Sequence, residues 1–202
     1  AGIEALHNGG NAVDAALATA IILTVVEPTM NGLGGDGFAL IWDGKKLHGM
    51  NASGRAPAAW TPDYFSGKAA MDLIGWNTVT VPGMVSGWIA LSRKFGKLPF
   101  AQLFKRAIDY AENGFPVSPV IARQWREAVP ILKNQPGFSE SFLIDGKSPA
   151  AGQIWRYPAQ AKTLREIAET EGESFYTGQL AQSMVDFAQN TGGCFTMADF
   201  AN

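Results

Sequence analysis

Gly32-Leu33-Gly34-Gly35-Asp36-Gly37, running directly into Phe38-Ala39-Leu40-Ile41-Trp42, decides which folds this sequence can adopt. The glycine run matches G-x-G-x-x-G letter for letter. A dinucleotide fingerprint of that form needs a strand before it and a helix after it, so that the helix N-terminus meets the pyrophosphate. Here the order is reversed. Upstream lies Ala12 to Val26, an apolar run broken by Asp14, Thr19 and Thr24. It reads as a buried core helix, capped by Asn11, with Asp14 in its first turn and Glu27-Pro28 as its stop. Downstream, Phe38–Trp42 has strand length and composition, Asp43-Gly44 is a hairpin turn signal, and Lys46–Asn51 is the returning strand. A phosphate cradle therefore loses its physical basis. Two readings of the glycines stay open: a turn that needs positive φ angles, or a loop whose backbone N–H groups approach a ligand closely.

Working outward, Ile3–His7 is a short helix ended by Asn8-Gly9-Gly10. Thr61-Pro62-Asp63 has the form of an N-cap with proline at the first helical position. Thr78–Val81 is a short extended piece. Gly83–Phe95 and Pro99–Asn113 have helical periodicity, with Leu103, Ala107, Tyr110 and Ala111 on one face of the second and with Gly96 and Gly114 as C-terminal caps. Ser118–Leu132 looks helical despite Pro119 and Pro130. Asn134–Pro158 reads as loop, and Ala159–Glu169 and Gln179–Asn190 as amphipathic helices.

The chain has 202 residues, which favours one domain or part of one. Hydrophobic residues make up 47% and charged residues 17%, which excludes a disordered chain. Lys and Arg number 16 against 18 Asp and Glu, and no basic stripe stands out, so a nucleic-acid partner is not expected. The Ala12–Val26 run falls short of the about 20 apolar residues of a spanning helix, so no membrane partner is expected. One cysteine and two histidines, with no CxxC and no HExxH, predict neither disulfide nor metal, and no cofactor. The sequence opens in helical pattern and stops in ordered-looking sequence. The expectation is a single partial domain over residues 1–202, truncated at both ends, in a soluble protein that leans to the cytoplasm over export.

Few side chains carry chemistry. Asp36 reads as a turn-bonding or solvated acid, His48 as a satisfied strand residue, His7 as a capping cation and Cys194 as a buried small residue. Arg55 is the informative charge. It lies in Asn51-Ala52-Ser53-Gly54-Arg55-Ala56-Pro57, just after the second strand, where loops often carry ligand contacts. Its planar fork suits a carboxylate. A structural surface arginine is the alternative.

The ordered landmarks resemble a known family. Gly9-Gly10-Asn11-Ala12-Val13-Asp14-Ala15-Ala16 is similar to the GGNAVDAA signature of the gamma-glutamyltransferase (gamma-glutamyltranspeptidase) family. Glu27-Pro28 with Gly32–Phe38, Ala56-Pro57-Ala58-Ala59, Val81-Pro82-Gly83, Phe95–Pro99, Gly114–Ser118, Gly172-Glu173, Phe175–Gly178, and Gly192-Gly193 with Thr196 and Asp199 follow in family order. The likeness covers essentially the whole chain.

The resemblance implies an α+β fold of the N-terminal nucleophile hydrolase type, an αββα sandwich. The chain would be an incomplete, helix-rich fragment of the large subunit with a short antiparallel sheet. It implies a proenzyme that cuts itself before a threonine, whose hydroxyl then attacks a gamma-glutamyl amide such as glutathione. The acyl group passes to water or an amino acid. That threonine belongs beyond Asn202, so no catalytic residue is expected in this chain, and the small subunit of the same proenzyme is the expected partner. The family's R-E-x-A-P motif supplies an arginine for the donor carboxylate. Aligned without gaps on Ala56-Pro57, its arginine and glutamate positions hold Ser53 and Gly54, and Arg55 falls two residues later, roughly 6–7 Å along an extended chain. Arg55 and Ser53 are thus the expected substrate-binding residues. The shifted form looks like a divergent branch related to acylases, so an acylase on dicarboxylic N-acyl amides and a non-catalytic binding relative stand as alternatives.

Overall fold

The computed structural model describes residues 1–201. In chain order the elements are α1 (Gly2–His7), α2 (Ala12–Val26), β1 (Gly37–Trp42), β2 (Leu47–Ala52), α3 (Met84–Phe95), α4 (Lys105–Asn113), β3 (Phe115–Pro116), α5 (Pro119–Leu132), α6 (Phe138–Phe142), β4 (Ile154–Trp155), α7 (Pro158–Glu169), α8 (Glu173–Tyr176), α9 (Gln179–Asn190) and α10 (Met197–Ala201). Short 3-10 turns cover Trp76–Thr78 and Phe100–Phe104. The chain divides into two compact units, each made of two separated segments: Ala1–Gly32 with Lys97–Arg165, and Leu33–Gly96 with the chain from Glu166 onward.

The first unit is organised around α2. Asn11 Oδ1 accepts from Val13 N at 2.9 Å and Asp14 N at 3.1 Å, while Asp14 Oδ2 accepts from Asn11 N at 2.8 Å, a reciprocal capping box. Leu17, Ala18, Ile21 and Val25 are buried, on a face that packs against α1, α4 and the Phe100–Phe104 turn. Each fully buried aliphatic side chain contributes about 1.5–3 kcal/mol, which secures a helix whose long apolar stretch carries no ion pair of its own. Asp14 is itself fully buried, and its carboxylate also accepts Lys97 N and Leu98 N. Trp125, Phe142, Trp155 and Tyr157 form a second cluster of packed rings in this unit.

In the second unit β1 and β2 form an antiparallel hairpin with register Gly37↔Ala52 to Trp42↔Leu47. Asp43 Oδ1 accepts Lys45 N and Lys46 N, both at 2.8 Å, and so closes the turn. The hairpin packs against α3. Its other face leaves Phe38, Leu40, Trp42 and Leu47 exposed, and among the described residues the sheet has only these two strands. The α9–α10 end of this unit builds a core from Val81, Ala181, Val185, Ala188, Phe195 and Phe200.

Several expectations are corrected here. Thr61-Pro62-Asp63 starts no helix. The cap bond from Tyr64 N to Thr61 Oγ1 forms at 3.2 Å, but the following bonds, Ser66 N to Asp63 O and Lys68 N to Phe65 O, are of the tighter three-residue type. Gly67 then turns at φ 82. Pro99–Asn113 is a 3-10 turn followed by α4 rather than one helix. The stretch read as loop, Asn134–Pro158, contains α6 and β4. Neither α8 nor α10 was expected. Cys194 is half-buried rather than buried.

Candidate functional site

Past β2 the chain leaves the hairpin through Ser53-Gly54-Arg55. Gly54 N donates to Asp36 Oδ1 at 2.7 Å, and Val81 N donates to Arg55 O at 2.9 Å. Asp36 is therefore a cross-loop tie rather than a solvated acid. The glycine-dense loop has a second hold: Gly35 O accepts Gly83 N at 3.2 Å and Met84 N at 2.9 Å, at the start of α3. The positive-φ reading of this loop fails, because none of Gly32, Gly34, Gly35 and Gly37 has a positive φ. The loop braces through its Asp36 carboxylate and its Gly35 carbonyl.

Glycine is required where this framework is tightest. A Cβ on Gly54 would lie 2.0 Å from Val81 O and 2.4 Å from Thr80 Oγ1, and one on Gly83 would lie 2.2 Å from Ala52 O. These separations are far inside van der Waals contact. Only glycine lets the arginine turn, β2 and the start of α3 approach as they do.

Ser53, Arg55, Pro82, Ser86, Tyr176 and Asp199 line a cleft of about 180 Å³ within this unit. The two expected substrate-binding residues thus stand in one cleft, both exposed. Tyr176 Oη donates to Pro82 O at 2.8 Å and accepts from Ser86 N at 2.9 Å. Burial raises its phenol above the usual value, with the Ser86 contact opposing, so it is neutral and keeps its donor proton near pH 7. Asp199 Oδ1 accepts Ala58 N at 2.8 Å, and Oδ2 accepts Thr196 N and Thr196 Oγ1, both at 2.8 Å. Burial pushes this carboxyl up, but the bonds from Ala58 and Thr196 outweigh it and hold the group below the usual carboxylate range.

The charges of the cleft are therefore unequal in commitment. Asp199 is spent on backbone and threonine donors. The Arg55 guanidinium has no hydrogen-bond or ion-pair partner among the described residues. What the arrangement can do is hold an anion. Ser86 Oγ donates to Gly83 O at 2.7 Å, and neither it nor Ser53 bonds a histidine or carboxylate among the described residues. No nucleophile–base pair is assembled there.

The other candidates lie outside the cleft. His48 Nε2 contacts Asp43 Oδ2 at 2.6 Å and its ring meets Phe95 edge-on, while His7 is exposed at the end of α1. Among the described residues no group of three His, Cys, Asp or Glu side chains could hold a metal ion, and no helix is long and apolar enough to cross a membrane. Sequence reasoning did not single out Ser86, Tyr176 or Asp199 as site residues. Asp199 lies 141 positions from the Ala58 it holds, and Tyr176 lies 94 from Pro82. The one local signal was the Thr196-x-x-Asp199 pattern of a capping box.

Comparison with known proteins gives this cleft its context. The sequence profile of the Gamma-glutamyltranspeptidase family matches residues 1–202. A Bacillus subtilis glutathione hydrolase-like proenzyme, YwrD, is 40% identical over 203 residues, covering 99% of this chain and 39% of the relative. Among solved structures, cephalosporin acylase from Bacillus halodurans superposes with a TM-score of 0.93 at 44% identity, over 99% of this chain and 39% of that one. Gamma-glutamyltranspeptidase from Pseudomonas nitroreducens, complexed with L-DON, gives 0.91 at 31% identity, over 100% of this chain and 60% of that one. The chain thus spans about two-fifths of the length of the Bacillus subtilis relative. The fold is α+β of the N-terminal nucleophile hydrolase type, helix-rich with a short antiparallel sheet. With the ordered motifs, the whole-length profile match and these superpositions in agreement, the chain belongs to the gamma-glutamyltranspeptidase family.

Proposed function

We propose that the 202 residues are part of one domain in the large subunit of an acyl-transfer enzyme. The enzyme cleaves gamma-glutamyl amides such as glutathione and passes the acyl group to water or an amino acid. The nucleophile, a threonine that opens the small subunit after self-cleavage, lies outside these residues. Its hydroxyl attacks the amide carbonyl, the C–N bond breaks, and the amine leaves with a proton. The resulting ester is then opened by the acceptor. The part played by this chain is donor recognition: Arg55, with Ser53 beside it, binds the donor carboxylate. The observation that carries the reading is the uncommitted guanidinium in a cleft whose other charge, Asp199, is already used.

The second reading is an acylase acting on dicarboxylic N-acyl amides. It is favoured by the turn itself. The family motif places glutamate at position 54, where this backbone accepts only glycine.

The test is steady-state kinetics of the full-length, self-cleaved enzyme on a gamma-glutamyl anilide and a glutaryl anilide, with Arg55→Ala and Arg55→Lys. A charged hydrogen-bonded contact is worth about 1.5–3 kcal/mol, so Arg55→Ala should lower kcat/KM by roughly one to two orders of magnitude on the preferred donor. Lysine should restore only part, because an ammonium cannot reproduce the fork. Preference for the glutaryl donor selects the acylase reading. No turnover of either by a fully cleaved wild type selects the non-catalytic relative. Wild-type kcat/KM in Arg55→Ala refutes the anchor.

A further inference from the structure

We infer that Tyr176 is a positioning residue for the anion anchor: its hydroxyl fixes the Pro82–Ser86 corner, and that corner fixes the backbone of Arg55. The inference rests on the reading of Arg55 as the donor-carboxylate ligand and adds the element that pre-organises it.

The geometry is a short relay. The first turn of α3 leaves N–H groups that no helical carbonyl can take. Met84 N is satisfied by Gly35 O, and Ser86 N is satisfied by the Tyr176 hydroxyl at 2.9 Å. The same hydroxyl gives its proton to Pro82 O at 2.8 Å. One oxygen thus staples Pro82, two residues before the helix, to Ser86, the third residue inside it. Val81, next to Pro82, donates its N–H to Arg55 O at 2.9 Å. The crowding at Gly54 and Gly83 leaves this assembly no slack, so a shift of the corner is passed on to the arginine turn. Tyr176 is placed by α8, and its ring packs edge-on against buried Phe175. It is therefore a rigid post rather than a mobile surface tyrosine. Tyr176→Phe removes the staple and keeps the ring.

A pinned guanidinium loses less freedom on binding a carboxylate than a loose one. Losing the staple should thus weaken donor binding more than it slows chemistry at a threonine supplied elsewhere. The expected result for Tyr176→Phe in the full-length, self-cleaved enzyme is a KM about three- to tenfold higher on the carboxylate-bearing donor, with kcat within about twofold. On the matched donor with that carboxylate converted to the amide, Tyr176→Phe should match wild type.

The deciding measurement is a double-mutant cycle with Arg55→Ala. If Tyr176 acts through Arg55, the double variant has the kcat/KM of Arg55→Ala alone. Additive losses, or an equal loss on the amide donor, overturn the inference and leave the Arg55 reading standing. Unchanged kinetics in Arg55→Ala overturn the Arg55 reading itself, and this inference with it. If Tyr176→Phe fails to self-cleave, 4-aminophenylalanine at position 176 takes its place in the cycle. Its nitrogen still donates to Pro82 O but is a poor acceptor for Ser86 N, so it should raise KM in the same direction by a smaller factor. No rise in KM from that replacement then overturns the inference.

Discussion

Asp14 is the most stringent test of how the first unit is held together. Its carboxylate is fully buried and accepts Asn11 N at 2.8 Å, Lys97 N at 3.0 Å and Leu98 N at 3.3 Å. Removing a buried ionised group is often mild when its partners can be removed with it. Here the partners are backbone N–H groups, which stay. Asp14→Ala therefore leaves the N–H groups of Lys97 and Leu98 without an acceptor, at about 1–3 kcal/mol each, and halves the capping box, at about 1 kcal/mol more. Allowing for partial relaxation, the loss is on the order of 3–5 kcal/mol, a large share of the 5–15 kcal/mol that a domain possesses. Asp14→Asn keeps the volume and one acceptor oxygen but turns an NH2 group toward another donor, and it should lose roughly 2–3 kcal/mol. Urea unfolding of the full-length protein, followed by near-ultraviolet circular dichroism, gives both values, with soluble yield as a second readout. Asp14→Ala unfolding within about 1 kcal/mol of wild type would refute the reasoning, because the stranded donors would then have found partners at no cost.

Three further outcomes are expected. Gly54→Ala should raise the donor KM and lower stability by about 1–3 kcal/mol, because its Cβ would meet Val81 O at 2.0 Å; kinetics and melting both at wild-type level would show a turn far more plastic than described. Asp199 has its carboxyl held low in the folded state, so its contribution is complete above the unfolded value near pH ~3.9 and is lost as pH falls through the folded value. Between pH 5 and 3 the wild type should accordingly lose stability more steeply than Asp199→Asn, and parallel curves would contradict the assignment. The 202-residue chain expressed alone should turn over no gamma-glutamyl anilide above background, since its cleft assembles no nucleophile–base pair among the described residues; turnover that survives stringent purification would move the nucleophile into this chain.

How much of this was legible depended on how local each cause is. The α2 helix was readable because everything that starts and stops it lies within a few residues: Asn11, Asp14 and Glu27-Pro28. The β1–β2 hairpin was readable for the same reason, through Asp43-Gly44. The strand pair β3–β4 was not, because Phe115 and Pro116 find Trp155 and Ile154 across an intervening helical stretch, and a two-residue strand has no periodicity. The helices α8 and α10 were missed because elements of four and five residues are stabilised by what they pack on, α9 in both cases. At Thr61 the local signal was present and its cap bond formed, yet Gly67 ended the run before a helical turn could propagate.

The same distinction explains the cleft. Arg55 could be picked out because a lone cation after a strand is a local feature, but the reason it stands at position 55 is not local. Gly54 N is held by Asp36 from the loop before β1, and Arg55 O is held by Val81 from the approach to α3. Between these two anchors the backbone passes so close to Val81 O and Thr80 Oγ1 that no side chain fits on residue 54. Restoring the R-E pair of the family motif at positions 53 and 54 would therefore require the turn to abandon at least one anchor. The register of the arginine and the packing of α3 against β2 are consequently one property of this fold. The anchor role proposed for Arg55 is tied to the glycines at 54 and 83 as closely as to the guanidinium itself.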